Sequence, residues 1–411
     1  MFQPELRLSR PAILRYTLLI IAVSVSFLFS PPPKNEKDYC GQYIHLGAHA
    51  GFTFNCDAAD YCMNADDPGR MLGDSAVRQS RPLFVLLASA VGHPVQWLSN
   101  KLNLPLFHSM GEEASRYVGY YIGYILINFL TILLSLLLFR SLATYVTQGG
   151  INKWVLLSFQ LILVSNEVTK AFFWTAHQQF FALLTPLLTL WVALRLVAQG
   201  KTLPQIGRLS LACGIGMLLY GNFLPMFGTI LIVSYLTDRK LHTTHLLKNL
   251  LLFLMPTVLW VSFCIYHHGH YYNREVAAYR QLVWIKDAFD ISAGRFFIAL
   301  GENALSYLRS FGEMSLFAAA GIAAAAYAKK QPAGPHRATQ TAVVTGAVLA
   351  GFFLLLGFYE ERLTYTLLPV CLFLMLSATN TASRRQKNIA YFLLPAIVWH
   401  LYTVLSYGPF S

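Results

Sequence analysis

Residues 12–30 read AILRYTLLIIAVSVSFLFS, carry a single charge at Arg15, and are closed by Pro31-Pro32-Pro33. At ~1.5 Å of rise per residue, an apolar run of this length covers the ~30 Å hydrocarbon core of a bilayer. Proline lacks the N–H that a helix needs, so the triple proline ends the segment. No A-x-A-like cleavage site precedes it, which argues against a removed signal peptide. The expected element is an uncleaved first membrane helix with Arg7 and Arg10 on the cytoplasmic side.

Runs of the same kind recur along the chain. Of its 411 residues 55% are hydrophobic and only 12% charged, against about a quarter charged in a soluble domain. Apolar segments follow at about 117–139, 152–165, 176–198, 209–236, 250–266, 315–328, 341–358, 364–378 and 389–405. The long 209–236 run is broken at Tyr220-Gly221-Asn222-Phe223-Leu224-Pro225 and reads as two short helices. The connections leave no room for soluble domains. The expectation is all-α: one integral membrane domain over residues 1–411, a polytopic bundle of about eleven transmembrane helices.

The net charge of +12 does not point to nucleic acid, because the bases sit in short clusters between apolar runs. Arg140, Arg195, Lys201, Arg208, Arg239, Lys240, Lys329 and Lys330 all fall in turns on one side, where Glu5 and Asp238 are the acids. That is the positive-inside pattern, with the N-terminus in and the C-terminus out. Residues 82–100 do not fit a clean span. Ser89, His93, Gln96 and Asn100 form a polar stripe interrupted by Pro94. An amphipathic helix at the interface is expected there. If it crossed, the arginine-rich turns between Arg140 and Lys248 would invert.

Two long loops then face the other side, 31–116 and 267–309. The first holds Asn55-Cys56-Asp57-Ala58-Ala59-Asp60-Tyr61-Cys62-Met63-Asn64-Ala65-Asp66-Asp67. If 57–65 is helical, Asp57, Tyr61 and Ala65 share a face and Asp60 lies ~60° round from Asp57. Asn55 or Asp57 is the cap. An ordinary solvated acidic loop is the bland alternative. The external bases Arg78, Arg81, Lys170, His177, Arg280 and Arg362 are interleaved with aromatic and acidic residues. They suit an anion such as a lipid phosphate, or else anchor helix ends beside headgroups. Of six cysteines, Cys40, Cys56 and Cys62 share the first loop, where one pair is open to oxidation and the pairing stays undetermined. No His lies at ligand spacing from Cys56 and Cys62, and His267, His268 and His270 lack an acid at helical ligand spacing. No metal and no other cofactor is therefore expected.

A carboxylate pair, a set of cations and amphipathic helices on one face are the parts that glycosyl transfer from a polyprenyl-phosphate sugar requires. On these residues the chain resembles the GT-C class of integral membrane glycosyltransferases, which includes protein O-mannosyltransferases and lipid A aminoarabinose transferases. Asp57-Ala58-Ala59-Asp60-Tyr61-Cys62-Met63-Asn64-Ala65 matches the D-x-x-x-Y-x-x-x-A pattern of that class. Asp57 takes the place of its catalytic aspartate. Asp60 is the alternative, because the common second acid beside the first is Ala58 here. Arg78-Gln79-Ser80-Arg81-Pro82-Leu83 is similar to the R-Q-x-R-P-L stretch of bacterial members, and Trp174-Thr175-Ala176-His177 to a W-x-x-H turn. Tyr359-Glu360-Glu361-Arg362 resembles the late external turn whose arginine approaches the donor phosphate. The resemblance implies a GT-C-like fold and transfer to a lipid or glycan acceptor on the extracytoplasmic face of a bacterial inner membrane. A flippase or transporter of lipid-linked sugars, and a membrane acyltransferase or polysaccharide ligase, are the competing classes.

Overall fold

The computed structural model describes residues 4–6, 8–32, 41–73, 76–102, 112–240, 242–330, 336–379 and 389–406. Helix α1 (Arg10–Ser26) begins with Pro11 in its first turn, where no N–H is needed. An antiparallel hairpin follows, β1 (Gly41–Gly47) with β2 (Ala50–Asn55), pairing Gly41 with Asn55 and Ile44 with Phe52. It is the one departure from an all-α chain among the described residues. Its Tyr, Ile, Thr and Phe residues favour a pleated surface. Next come α2 (Cys56–Asp66) and α3 (Pro82–Leu102).

The polar stripe of α3 exists, and part of it meets protein. α3 lies along α4 (Glu112–Val146), where the Tyr120 hydroxyl meets His93 at 2.9 Å and Gln96 Oε1 accepts the Gly119 N–H at 2.7 Å. Ser89 is buried, while Leu86, Leu87, Trp97 and Leu98 face outward. The close approach requires Gly119, since a Cβ there would stand 2.5 Å from the Gln96 backbone nitrogen. His93 and Asn100 stay exposed, so part of the stripe packs on α4 and part remains open beside exposed apolar residues.

The remaining helices are α5 (Lys153–Val164), α6 (Glu167–Phe172), α7 (Phe181–Gln199), α8 (Gly207–Met217), α9 (Phe223–Asp238) and α10 (Thr243–His268). They continue with α11 (Val283–Ile291), α12 (Ala293–Arg309), α13 (Met314–Lys330), α14 (His336–Leu356), α15 (Leu368–Thr379) and α16 (Ala390–Leu405). α7 is the centre of the bundle: it packs against α4, α9, α14 and α15, and most of its side chains are buried. α10 packs mainly on α8 and leaves a wide apolar face exposed, including Leu251, Val258 and Leu259. Such a face suits lipid rather than water.

Six helical segments among the described residues are long and apolar enough to cross a membrane. They are Arg10–Phe29, Arg116–Val146, Gln178–Gln199, Thr243–His268, His336–Leu356 and Glu361–Thr379. α12 and α13 together make a seventh if a 101° bend is counted within one span. α5, α9 and α16 are apolar but shorter, and α8 has 11 residues, about 16 Å of helix. The count of eleven is therefore not established. Apolar runs in the sequence include the turns that flank each helix, so they overstate helical length. The 267–309 segment read as a second long loop contains α11 and α12.

Candidate functional site

The hairpin runs straight into α2, and Asn55 sits at the junction. Its Oδ1 accepts the Asp57 N–H at 2.8 Å, capping the helix, while its own N–H donates to Thr175 Oγ1 at 3.1 Å. Tyr61 and Ala65 are fully buried, so the face predicted for 57–65 is the packed one. The Tyr124 hydroxyl donates to the Tyr61 carbonyl at 3.1 Å, and the Tyr61 hydroxyl donates to Gln178. Asp57 and Asp60 are left at the edge of this face, a turn of helix from each other.

Arg78 joins them. Its Nη2 lies 2.6 Å from Asp57 Oδ1 and its Nε lies 2.7 Å from Asp60 Oδ2. The guanidinium also stands 4.0 Å over the Tyr61 ring, a cation–π contact made away from water. The segment is pinned through Gln79, which is fully buried. Gln79 Nε2 donates to the Met71 carbonyl, its Oε1 accepts from the Tyr272 N–H, and its carbonyl accepts from the Trp260 indole. Arg81 pairs with Glu275 at 2.6 Å. The 267–309 segment is thereby tied to the 31–116 segment.

The W-x-x-H turn is held by Asn128 of α4, whose Nδ2 donates to the carbonyls of Phe172 and Thr175 at 3.1 and 2.9 Å. His177 stacks on Phe172 with ring centroids 4.4 Å apart. Its Nδ1 accepts the Gln179 N–H at 3.2 Å, which leaves the proton on Nε2. That nitrogen faces Asp57 Oδ2 across 3.7 Å. Burial, then the nearby Arg362 charge, hold the His177 imidazolium well below the usual histidine range. The ring is neutral at pH 7. Burial alone would raise the Asp57 carboxyl, but the Arg78 guanidinium together with the His177 and Arg274 groups holds it below the usual carboxylate range.

These groups open on a cavity of about 130 Å³. Asp57, Arg78, Arg81, His177 and Arg362 line it, as do Phe352, Phe353 and Leu356 at the end of α14. Arg362 enters from the turn before α15, ion-paired with Glu360, and its carbonyl accepts from Gln179 Nε2 at 3.4 Å. Asp60 stands behind Arg78, bonded to Asn64 at 3.0 Å, and does not line the cavity. Two expected phosphate ligands lie elsewhere. Lys170 donates to the carbonyls of Thr403 and Ser406 at 2.9 and 2.8 Å and so caps the end of α16. Arg280 is paired with exposed Asp287 outside the cavity. A loop position in the sequence does not say where a long side chain points, which is why both were included.

The cavity also takes residues that the sequence did not single out. Arg274 and Glu275 come from the second external loop, Gln178 and Gln179 follow His177, and Asn222 comes from the break before α9. Among the described residues Arg274 has no ion-pair partner. Asn222 is buried, and among the described residues its Nδ2 has no hydrogen-bond partner. The break at Tyr220-Gly221-Asn222 was the available signal, since freed backbone at membrane depth has to face protein or a cavity. No group of three or more His, Cys, Asp or Glu side chains among the described residues is placed to hold a metal ion. In the cysteine set, Cys56 is disulfide-bonded, Cys62 is a free buried thiol, and Cys40 lies outside the described residues.

Compared with known proteins, the chain matches no family model, no curated protein and no solved structure.

Proposed function

We propose that the protein is a glycosyltransferase that moves a sugar from a polyprenyl-phosphate donor to a lipid or glycan hydroxyl on the extracytoplasmic face of a membrane. The observation that carries this reading is the convergence of Asp57, Arg78, Arg81, His177, Arg274 and Arg362 on one cavity. The acceptor oxygen attacks the anomeric carbon, and the bond from that carbon to the phosphate oxygen breaks. The hydroxyl proton passes to Asp57 Oδ2, the oxygen that Arg78 leaves open. Polyprenyl phosphate departs with the electron pair, and Arg362 and Arg274 meet its growing charge. Neutral His177 points Nε2 at Asp57 Oδ2 across 3.7 Å, a polar neighbour that limits where the carboxylate can turn. Asn222 Nδ2 supplies a further donor to sugar or phosphate. In this reading the resting Asp57 is a weak base until substrate loosens its contact with Arg78.

The reading also takes the path of eleven passes as real, with α5, α8, α9 and α16 as short crossings and the site outside. Cysteine-accessibility labelling tests it: positions 66, 286 and 361 are expected outside, and 201, 239 and 330 inside. Labelling of position 361 from the cytoplasm would overturn the arrangement.

The cavity residues lie at helix ends and turns, which favours an enzyme over a transporter, whose ionic groups lie near the middle of its spans. Purified protein given a labelled polyprenyl-phosphate sugar and acceptor lipids is expected to release free polyprenyl phosphate. Movement of intact donor across a vesicle bilayer without its release would establish the flippase reading instead.

A further inference from the structure

The helices that wall the site at one end enclose a second cavity at the other. α14 contributes Phe352, Phe353 and Leu356 to the first cavity and Arg337, Gln340 and Val344 to the second. α9 follows Asn222 at the first cavity and closes with Leu236 and Arg239 at the second. α7 likewise runs from Gln178 and Gln179 to Val197. α14 has 21 residues, about 31 Å of helix, the thickness of a hydrocarbon core. The second cavity, about 370 Å³, therefore belongs to the opposite membrane face.

Its charge is one-sided. Arg239 and Arg337 line it, and among the described residues no acid does. The adjacent Asp238 is engaged with His242 at 3.1 Å. Among the described residues neither arginine has an ion-pair partner. Arg239 also holds a left-handed backbone, φ +55°, at the C-cap of α9. Glycine takes that conformation most cheaply, yet a guanidinium stands there. The rest of the described wall is Val197, Val233, Leu236 and Val344 with the polar side chains Thr237, Gln340 and Thr341.

We infer that this cavity binds the phosphodiester headgroup of an anionic phospholipid of the cytoplasmic leaflet, held between Arg239 and Arg337. Two guanidinium forks suit the paired oxygens of a phosphodiester. The valine and leucine wall suits the start of acyl chains, which a free phosphate does not have. A basic pocket between helix ends on the positive side of a membrane protein is a recognised form of headgroup site. The inference is independent of the transferase reading, because it uses none of the residues of the first cavity.

The test is native mass spectrometry of delipidated protein titrated with phosphatidylglycerol, phosphatidylcholine and inorganic phosphate. Phosphatidylglycerol is expected to bind in preference to phosphatidylcholine, and Arg239→Ala with Arg337→Ala is expected to weaken that binding about tenfold or more. Lys240→Ala removes one positive charge beside Arg239 but outside the cavity and is expected to bind as wild type. The double Lys variant, Arg239→Lys with Arg337→Lys, preserves charge and is expected to fall between. Equal binding of the two lipids, or equal loss in Lys240→Ala and the double Ala variant, would overturn the site. Displacement of phosphatidylglycerol by millimolar inorganic phosphate would overturn the headgroup assignment.

Discussion

Arg78 is fixed against Asp57 at 2.6 Å from inside the protein: its side chain is 5% exposed, whereas that of Asp57 is 32% exposed. Both line the cavity, the cation as the deeply buried partner and the carboxylate as the more open one. Removing the cation would leave Asp57 and Asp60 a helical turn apart with mutual repulsion and an empty fork position. Arg78→Gln is expected to destabilise the protein by about 3 kcal/mol, the low end for one partner of a buried pair, because both acids retain contact with solvent. Thermal unfolding in detergent reads the change. The pH dependence has a defined sign. A carboxylate whose folded pKa lies below its unfolded value stabilises the fold above the unfolded value and loses that contribution as pH falls through the folded one. For Asp57 the folded value is the lower, so the loss is expected below about pH 4 and is expected to be shallower in Asp57→Asn.

The two acids differ in their access to substrate. Asp57 lines the cavity and Asp60 does not. Asp57→Asn is expected to slow single-turnover transfer by about 10²–10⁴-fold, the usual worth of a general base. Asp60→Asn is expected to act through the position of Arg78 and to slow it by less than about tenfold. Near-normal turnover in Asp57→Asn would remove the base assignment.

How far the sequence reached depended on how local each signal was. The helix at 57–65 and its Asn55 cap rest on spacing within a few residues, and both appear in α2. The α3 stripe was equally local, but periodicity shows which residues align and not what they face. It takes the Gly119 contact to turn His93 and Gln96 toward α4. The number of spans stays open, because α5, α8, α9 and α16 are short for a bilayer core. Arg274 was one of many charges in its loop, and only long-range packing distinguishes it from Arg280. The hairpin at 41–55 was missed because aromatic residues among glycines read as loop.

Glu167 gives a second pH response, of opposite sign. It is buried on α6, Ser406 Oγ donates to its Oε1 at 3.2 Å, and its Oε2 has no partner. Burial, only partly opposed by the Lys170 charge, pushes its carboxyl up to about 7. A carboxyl with a raised folded pKa favours the folded state while protonated, so stability falls as pH rises from the usual carboxylate range toward about 7. Glu167→Gln is expected to remove that slope and to raise the melting temperature at pH 8. Hydrogen exchange at the end of α16, where Lys170 is anchored, reports the same change locally.

The disulfide lies beside the site. Cys56 is bonded and Cys62 is free, with burial pushing its thiol up to about 12. A thiol of that pKa is inert at neutral pH. A non-reduced digest is expected to link Cys56 to Cys40, and maleimide is expected to label Cys62 only after unfolding. A linked peptide containing Cys62 would contradict this. Reduction is expected to slow transfer more than it lowers stability, because Cys56 immediately precedes Asp57.

The last prediction separates the two cations proposed for the phosphate. Arg362 is paired with Glu360, which is 39% exposed, and a pair so open to water contributes only about 0–1 kcal/mol to stability. Its guanidinium is 5.9 Å over the Phe172 ring, the ring on which His177 also stacks. Arg362 is therefore held in direction on the same support as the histidine. Arg274 has no such partner and sits on a short helix in a partly exposed loop. Charge grows on the phosphate as the glycosyl bond breaks, so a directed fork gains more in the transition state than a mobile cation does. Arg362→Ala is expected to lower the transfer rate about 10²–10³-fold with donor saturating, and Arg362→Lys to keep part of it, with little change in melting temperature for either. Arg274→Ala is expected to weaken donor binding and leave the saturated rate within about tenfold. If Arg274→Ala abolishes the saturated rate while Arg362→Ala leaves it intact, the phosphate lies on the side of the cavity formed by the second external loop, and Arg362 belongs to the scaffold.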